Sequence, residues 1–168
     1  KYTISYLPSA SIISYCNVPP TATGTLVMGY SNEGHLAGRV QEAQTVATLM
    51  GGAAVVEAEA TVHQFRAGVA GAGLIHLATH GYFHRDNPRF SGVVLADGYV
   101  TTLDIFGLRL PGSLVTLSAC QTKQSHLGGG DELLGMSQAF LHAGATGLVM
   151  SQWAVSDQAT LALMHHFY

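Results

Sequence analysis

Residues 73–79, GLIHLAT, and residues 113–119, SLVTLSA, decide the fold between them. Each is an apolar run of strand length, and each runs into a residue with chemistry in its side chain: His80 directly follows the first and Cys120 the second. On either side, short apolar runs alternate with helical patterns, the sequence form of a parallel sheet covered by helices on both faces. Residues 26–30 (LVMGY) read as a strand. Residues 36–50 read as a helix with Val40, Ala43, Ala47 and Met50 on its apolar side. A short strand is expected at 53–56, and a helix at 60–69 with Val62, Phe65 and Val69 on one side.

The character of the chain changes after Gly81. Pro88, the run Gly92–Leu95 and the pair Asp97-Gly98 before Tyr99-Val100 predict a small β-hairpin insertion, because an Asp-Gly pair suits a two-residue hairpin turn. A short helix is expected over 102–107. The loop at 128–130 leads into a helix over 132–143, with Leu133, Met136, Ala139 and Phe140 on one face, and then a strand at 146–151. Residues 157–168 read as a final helix capped by Ser156 or Asp157. The expected fold is α/β, a single domain over 1–168 with a mainly parallel sheet.

Composition narrows the function. Apolar residues make up 48% of the 168 and charged residues 10%, against roughly 25% charged in an ordinary soluble domain. That combination excludes disorder and points to a surface partly covered by more of the same chain or by a partner. A net charge of −3 leaves no electrostatic footprint for nucleic acid or an anionic membrane. No apolar run reaches the ~18 residues of a membrane span. Two cysteines, Cys16 and Cys120, form at most one bridge, so there is no disulfide framework. The start lacks a signal-peptide pattern and an initiator Met, and reads as part of a longer cytoplasmic protein.

His80 and Cys120 carry the sharpest chemical reading. Residues at the carboxyl ends of parallel strands line the edge where ligands bind in open α/β sheets. The forty positions between them suit a crossover joining neighbouring strands. A thiol of pKa about 8.5 is only slightly ionised at neutral pH, and an adjacent imidazolium fills the thiolate state. The thiolate attacks a carbonyl, the imidazolium protonates the leaving amine, and the Gly81 N–H is available to the developing oxyanion. An inert cysteine at a strand end remains the plainer alternative on position alone.

Six segments go further: HLATHG (76–81), LVTLSACQT (114–122), GGGDELLGMSQAFLHAGATGLVMSQWAVSD (128–157), ATLALMHHFY (159–168), SYLPSA (5–10) and SGVVLADGYVTTLDI (91–105). In their order along the chain they closely resemble the CHAT domain, a caspase-like cysteine peptidase domain often found in bacteria beside tetratricopeptide repeats. The resemblance implies a caspase-like three-layer sandwich. It also implies a Cys-His dyad of His80 and Cys120, with an oxyanion site at the Gly81 and Cys120 backbone. No metal or organic cofactor is implied. The implied partners are a specific protein or peptide substrate and regulating tetratricopeptide-repeat or sensor domains. Family members continue past the FY element into a further helix and strand, so the chain reads as lacking the family's C-terminal end. The rival reading is a non-catalytic caspase-like scaffold or regulatory module.

Other residues admit two readings. Asp131 either caps its helix or shapes the pocket for the residue preceding the cut bond, and Asp157 has a similar claim after the next strand. Trp153 lines a substrate groove or belongs to the core. His76 and His80, four apart on a strand, lie about 13 Å from each other, too far to share an ion, and His76 reads as a buried hydrogen-bonded residue. His165 and His166 read as surface or interface, Cys16 as structural, and Gln121 and Thr122 as turn-forming.

Overall fold

The longest strand, Ala72–Tyr82, is the axis of the sheet. The computed structural model describes residues 13–16, 19–82, 84, 86–120, 131–151 and 155–168; of residues 15, 16, 120 and 131–134 it describes the backbone. In chain order the elements are α1 (Ile13–Cys16), β1 (Gly24–Gly29), α2 (Ala37–Leu49), β2 (Val55–Val56), α3 (Val62–Val69), β3 (Ala72–Tyr82), β4 (Gly92–Leu95), β5 (Gly98–Thr101), α4 (Thr102–Phe106), β6 (Leu114–Cys120), α5 (Asp131–Ala143), β7 (Gly147–Met150) and α6 (Asp157–Phe167). Strands β2, β1, β3, β6 and β7 lie side by side and parallel. The hairpin β4–β5 joins the far end of β3 in the antiparallel sense.

Side chains alternate across a strand, so the two faces of β3 read separately. Ile75 and Leu77 pack with Leu26 and Met28 of β1, Val115 and Leu117 of β6, Phe65 of α3 and Phe140 of α5 in one apolar core. The opposite face gives Ala78, which joins Val27 of β1, Ala43, Val46 and Ala47 of α2 and Met164 of α6. The result is the expected caspase-like three-layer α/β sandwich with a mostly parallel sheet. Gly29 lets α2 settle close on β1: a Cβ there would stand 2.6 Å from the Ala43 Cβ.

Local chemistry marks the element ends. The expected hairpin forms, with Leu95 paired to Gly98. Its two loop residues are therefore Ala96 and Asp97, one position before the Asp97-Gly98 pair that predicted it, and Gly98 opens β5. The Asp97 carboxylate also accepts from the Val62 N–H at the start of α3 (2.8 Å). Thr101 and Asp104 form a reciprocal capping box on α4. Burial pushes the Asp104 carboxyl up, but hydrogen bonds from Thr101 and the charge of Arg66 outweigh it and hold it below its ordinary value. Ser156 caps α6 by accepting from the Ala159 N–H (3.2 Å).

Two expectations need correction. The strand predicted to stop before His80 continues to Tyr82, because the returning hairpin supplies it with new backbone partners. The apolar stripe expected on α2 is also turned. Its buried residues are Arg39, Glu42, Ala43, Val46 and Ala47, while Met50, just past the helix end, is 38% exposed. Arg39 and Glu42 complete the 3–4 residue spacing of the inward face once charged residues are admitted to it.

Candidate active site

Strands β3 and β6 pair in register from Leu74 with Leu114 up to His80 with Cys120. The two residues are therefore direct partners at the carboxyl ends of adjacent parallel strands, where backbones run about 4.8 Å apart. β1 has already left β3 by this point, its last partner being Ala78. The hairpin takes its place: Val94 of β4 is the antiparallel partner of His80. A strand has two edges, and here both are occupied. The Thr79 hydroxyl adds a bond to the Val94 carbonyl, so the backbone under His80 is fixed from both sides.

The His80 ring is partly buried. Burial, and then the positive charge of Arg39, lowers its pKa from the ordinary 6.5 and favours the neutral imidazole. Arg39 lies on α2, 1% exposed. Its Nη1 donates to Ser118 Oγ (2.7 Å), on β6 two residues before Cys120. The same nitrogen lies 3.5 Å from Glu42 Oε2, and Nη2 lies 3.3 Å from Asp157 Oδ1. Its Nε finds no partner among the described residues.

A second chain of contacts continues inward on the same face. His76 is fully buried, and its Nε2 donates to Glu42 Oε1 at 3.1 Å. Its Nδ1 is 3.2 Å from the Tyr168 hydroxyl, which is itself 2.7 Å from Thr116 Oγ1. Burial raises the Tyr168 pKa, against a lowering hydrogen bond from Thr116 and with a further rise from Glu42. His76 is thus a hydrogen-bonded core residue, as its position in the strand implied.

The remaining sequence candidates fall in different places. Gly81 is buried in β3 opposite Val93. Asp131 is the first residue of α5. Asp157 is the first residue of α6, and its carboxylate is engaged with Arg39 while remaining 30% exposed. Trp153, Gln121, Thr122 and the 128–130 loop lie outside the described residues. His165 and His166 are exposed on α6. Among the described residues, no helix is long and apolar enough to cross a membrane. An apolar pocket of ≈ 170 Å³ opens between β6, β7 and α6, lined by Leu117, Ser118, Met150, Val155, Leu163 and Met164 with others.

Sequence reasoning missed Arg39 and Glu42. The available signal was a pair of opposite charges three apart on the helix that follows the first strand, in a chain with few charges to spend on its interior. No curated protein matches the sequence significantly. The family model of the CHAT domain matches residues 1–168, the whole length. With the caspase-like sandwich that surrounds His80 and Cys120, the match places this chain in the CHAT domain family.

Proposed function

We propose that this domain is a cysteine endopeptidase in which Cys120 is the nucleophile and His80 its acid–base partner. The observation that carries the reading is the register that makes the two residues partners at the carboxyl rim. A neutral His80 accepts the thiol proton, and the thiolate adds to the carbonyl carbon of the scissile peptide. The oxyanion is held by the backbone N–H groups of Gly81 and Cys120, a type of donor worth about 3 kcal/mol of barrier. The imidazolium then returns the proton to the departing amine, leaving a thioester that water hydrolyses with His80 as base. No metal or organic cofactor has a part in this sequence of steps.

Selectivity in this reading comes from the rim. The apolar pocket beside Ser118 supports an uncharged substrate side chain there. Asp131 and Trp153 stand after the two strands that frame it and would border the bound peptide. The substrate is a specific protein, and attached repeat or sensor domains control access. The test is a peptide-library and candidate-protein cleavage screen of the full protein beside Cys120→Ala. Turnover should fall at least ~1,000-fold in the variant with circular dichroism unchanged. Equal cleavage by both proteins rejects the nucleophile assignment, and cleavage by neither favours the scaffold role.

A further inference from the structure

Among the described residues, the charged groups buried near the proposed dyad belong to one cluster on the α2–α6 face. Glu42 and Arg39 enter from α2, Asp157 and Tyr168 from α6 and the residue after it, His76 and His80 from β3, and Ser118 from β6. These groups are not equivalent in depth. Glu42 is bonded to His76, four residues back from His80 and so about 13 Å down the strand. Arg39 reaches Ser118, only two residues back from Cys120 and paired across the ladder with Ala78. The cation is therefore nearer the rim than the carboxylate that accompanies it on its own helix. Its other counterion, Asp157, is partly in water and screened.

We propose that Arg39 is an electrostatic positioning residue for Cys120 and His80, its buried guanidinium stabilising a thiolate and opposing charge on the imidazole, with Asp157 setting how much of that field reaches the rim. The inference rests on the reading that these two residues are the reacting pair. A buried arginine is costly unless its surroundings compensate it, and here one guanidinium nitrogen is left without a partner among the described residues. An apolar residue would fill the space between helix and sheet at lower cost. What the arginine adds is a fixed charge, pointed at β6 by its bond to Ser118. A cation stabilises a nearby thiolate and disfavours a nearby imidazolium, so the same group favours the state in which sulfur is charged and the ring is neutral. The direction at His80 agrees, since Arg39 is the charge that lowers it. Asp157 carries the opposite sign and works against Arg39 at both residues.

The test is the pH dependence of Cys120 alkylation by iodoacetamide in the whole chain, followed on the Cys120 peptide by mass spectrometry so that Cys16 does not contribute. Arg39→Gln should raise the alkylation midpoint by about one pH unit, making the reaction about tenfold slower below it. Arg39→Lys should keep most of the native midpoint. Asp157→Asn should move it the opposite way, downward. A purely structural role would loosen the site in both variants and move them in the same direction. An unmoved midpoint in folded Arg39→Gln, or shifts of the same sign, overturns the proposal. If Arg39→Gln does not fold, Asp157→Asn alone decides: a lowered midpoint supports the proposal, and an unchanged or raised one overturns it. Opposite shifts in a protein that cleaves no peptide would reject the peptidase reading while leaving this inference standing.

Discussion

The two faces of the sheet are built from different materials. Toward α3 and α5, the side chains of β1, β3 and β6 are Leu26, Met28, Ile75, Leu77, Val115 and Leu117, closed over by Phe65 and Phe140. Toward α2 and α6, β3 and β6 present His76, Thr116 and Ser118, met by Arg39, Glu42 and Tyr168, beside a smaller apolar cluster of Val27, Ala78, Ala43, Val46, Ala47 and Met164. The register pairs like with like: Ile75 with Val115 and Leu77 with Leu117 on one side, His76 with Thr116 on the other. The first face gains stability from area removed from water. The second holds polar groups that contribute little net stability even when satisfied, and it is the face whose row His76, Ala78, His80 runs to the rim. The lesson is a division of labour within one strand, with odd positions of β3 folding the domain and even positions furnishing its chemistry.

The largest expected effect belongs to the apolar face. Phe140→Ala, at a site with no exposure, should cost about 3–5 kcal/mol of unfolding free energy in urea titration. If the faces are separable, the alkylation midpoint of Cys120 should stay where it is in the folded variant. A moved midpoint would mean that the apolar core also tunes the site, and the comparison would fail.

A smaller loss is expected deep in the polar face. Tyr168→Phe removes a hydroxyl shared by His76 and Thr116 and should cost about 1–3 kcal/mol, the penalty of leaving buried groups unpaired. The measurement is again urea unfolding. A variant as stable as the parent would show that this network is spare, and that the polar face is held by its helices alone.

This contrast explains how much the sequence discloses. The apolar face is legible because hydrophobic periodicity records it directly: Phe65, Val69, Met136, Ala139 and Phe140 fall where their helices predict. The pairing of the two strands is also legible, since the length of chain between His80 and Cys120 suits one crossover. The polar face is not. A buried Arg39 or Glu42 looks, in one dimension, like a solvated charge, and only the fold shows that residues 39, 42, 76, 118 and 157 meet. The end of β3 is hidden for a related reason, since its last partners come from a hairpin whose docking no local pattern records.

The smallest effect lies at the rim, where His80 is only partly buried. Its folded pKa lies below 6.5, so between that folded value and 6.5 the unfolded chain binds a proton that the folded chain does not. Stability therefore rises with pH across this window and falls as the solution is acidified through it. A His80→Gln variant lacks the titration. The stability advantage of the parent over it should be full above 6.5 and shrink as pH falls toward the folded value. Paired urea titrations of the two proteins across this range read the difference directly, and the other histidines cancel. A difference independent of pH would show that the ring titrates as it does in the unfolded chain. In that case neither burial nor the Arg39 charge is felt at His80, and the polar face would lose its link to the chemistry above it.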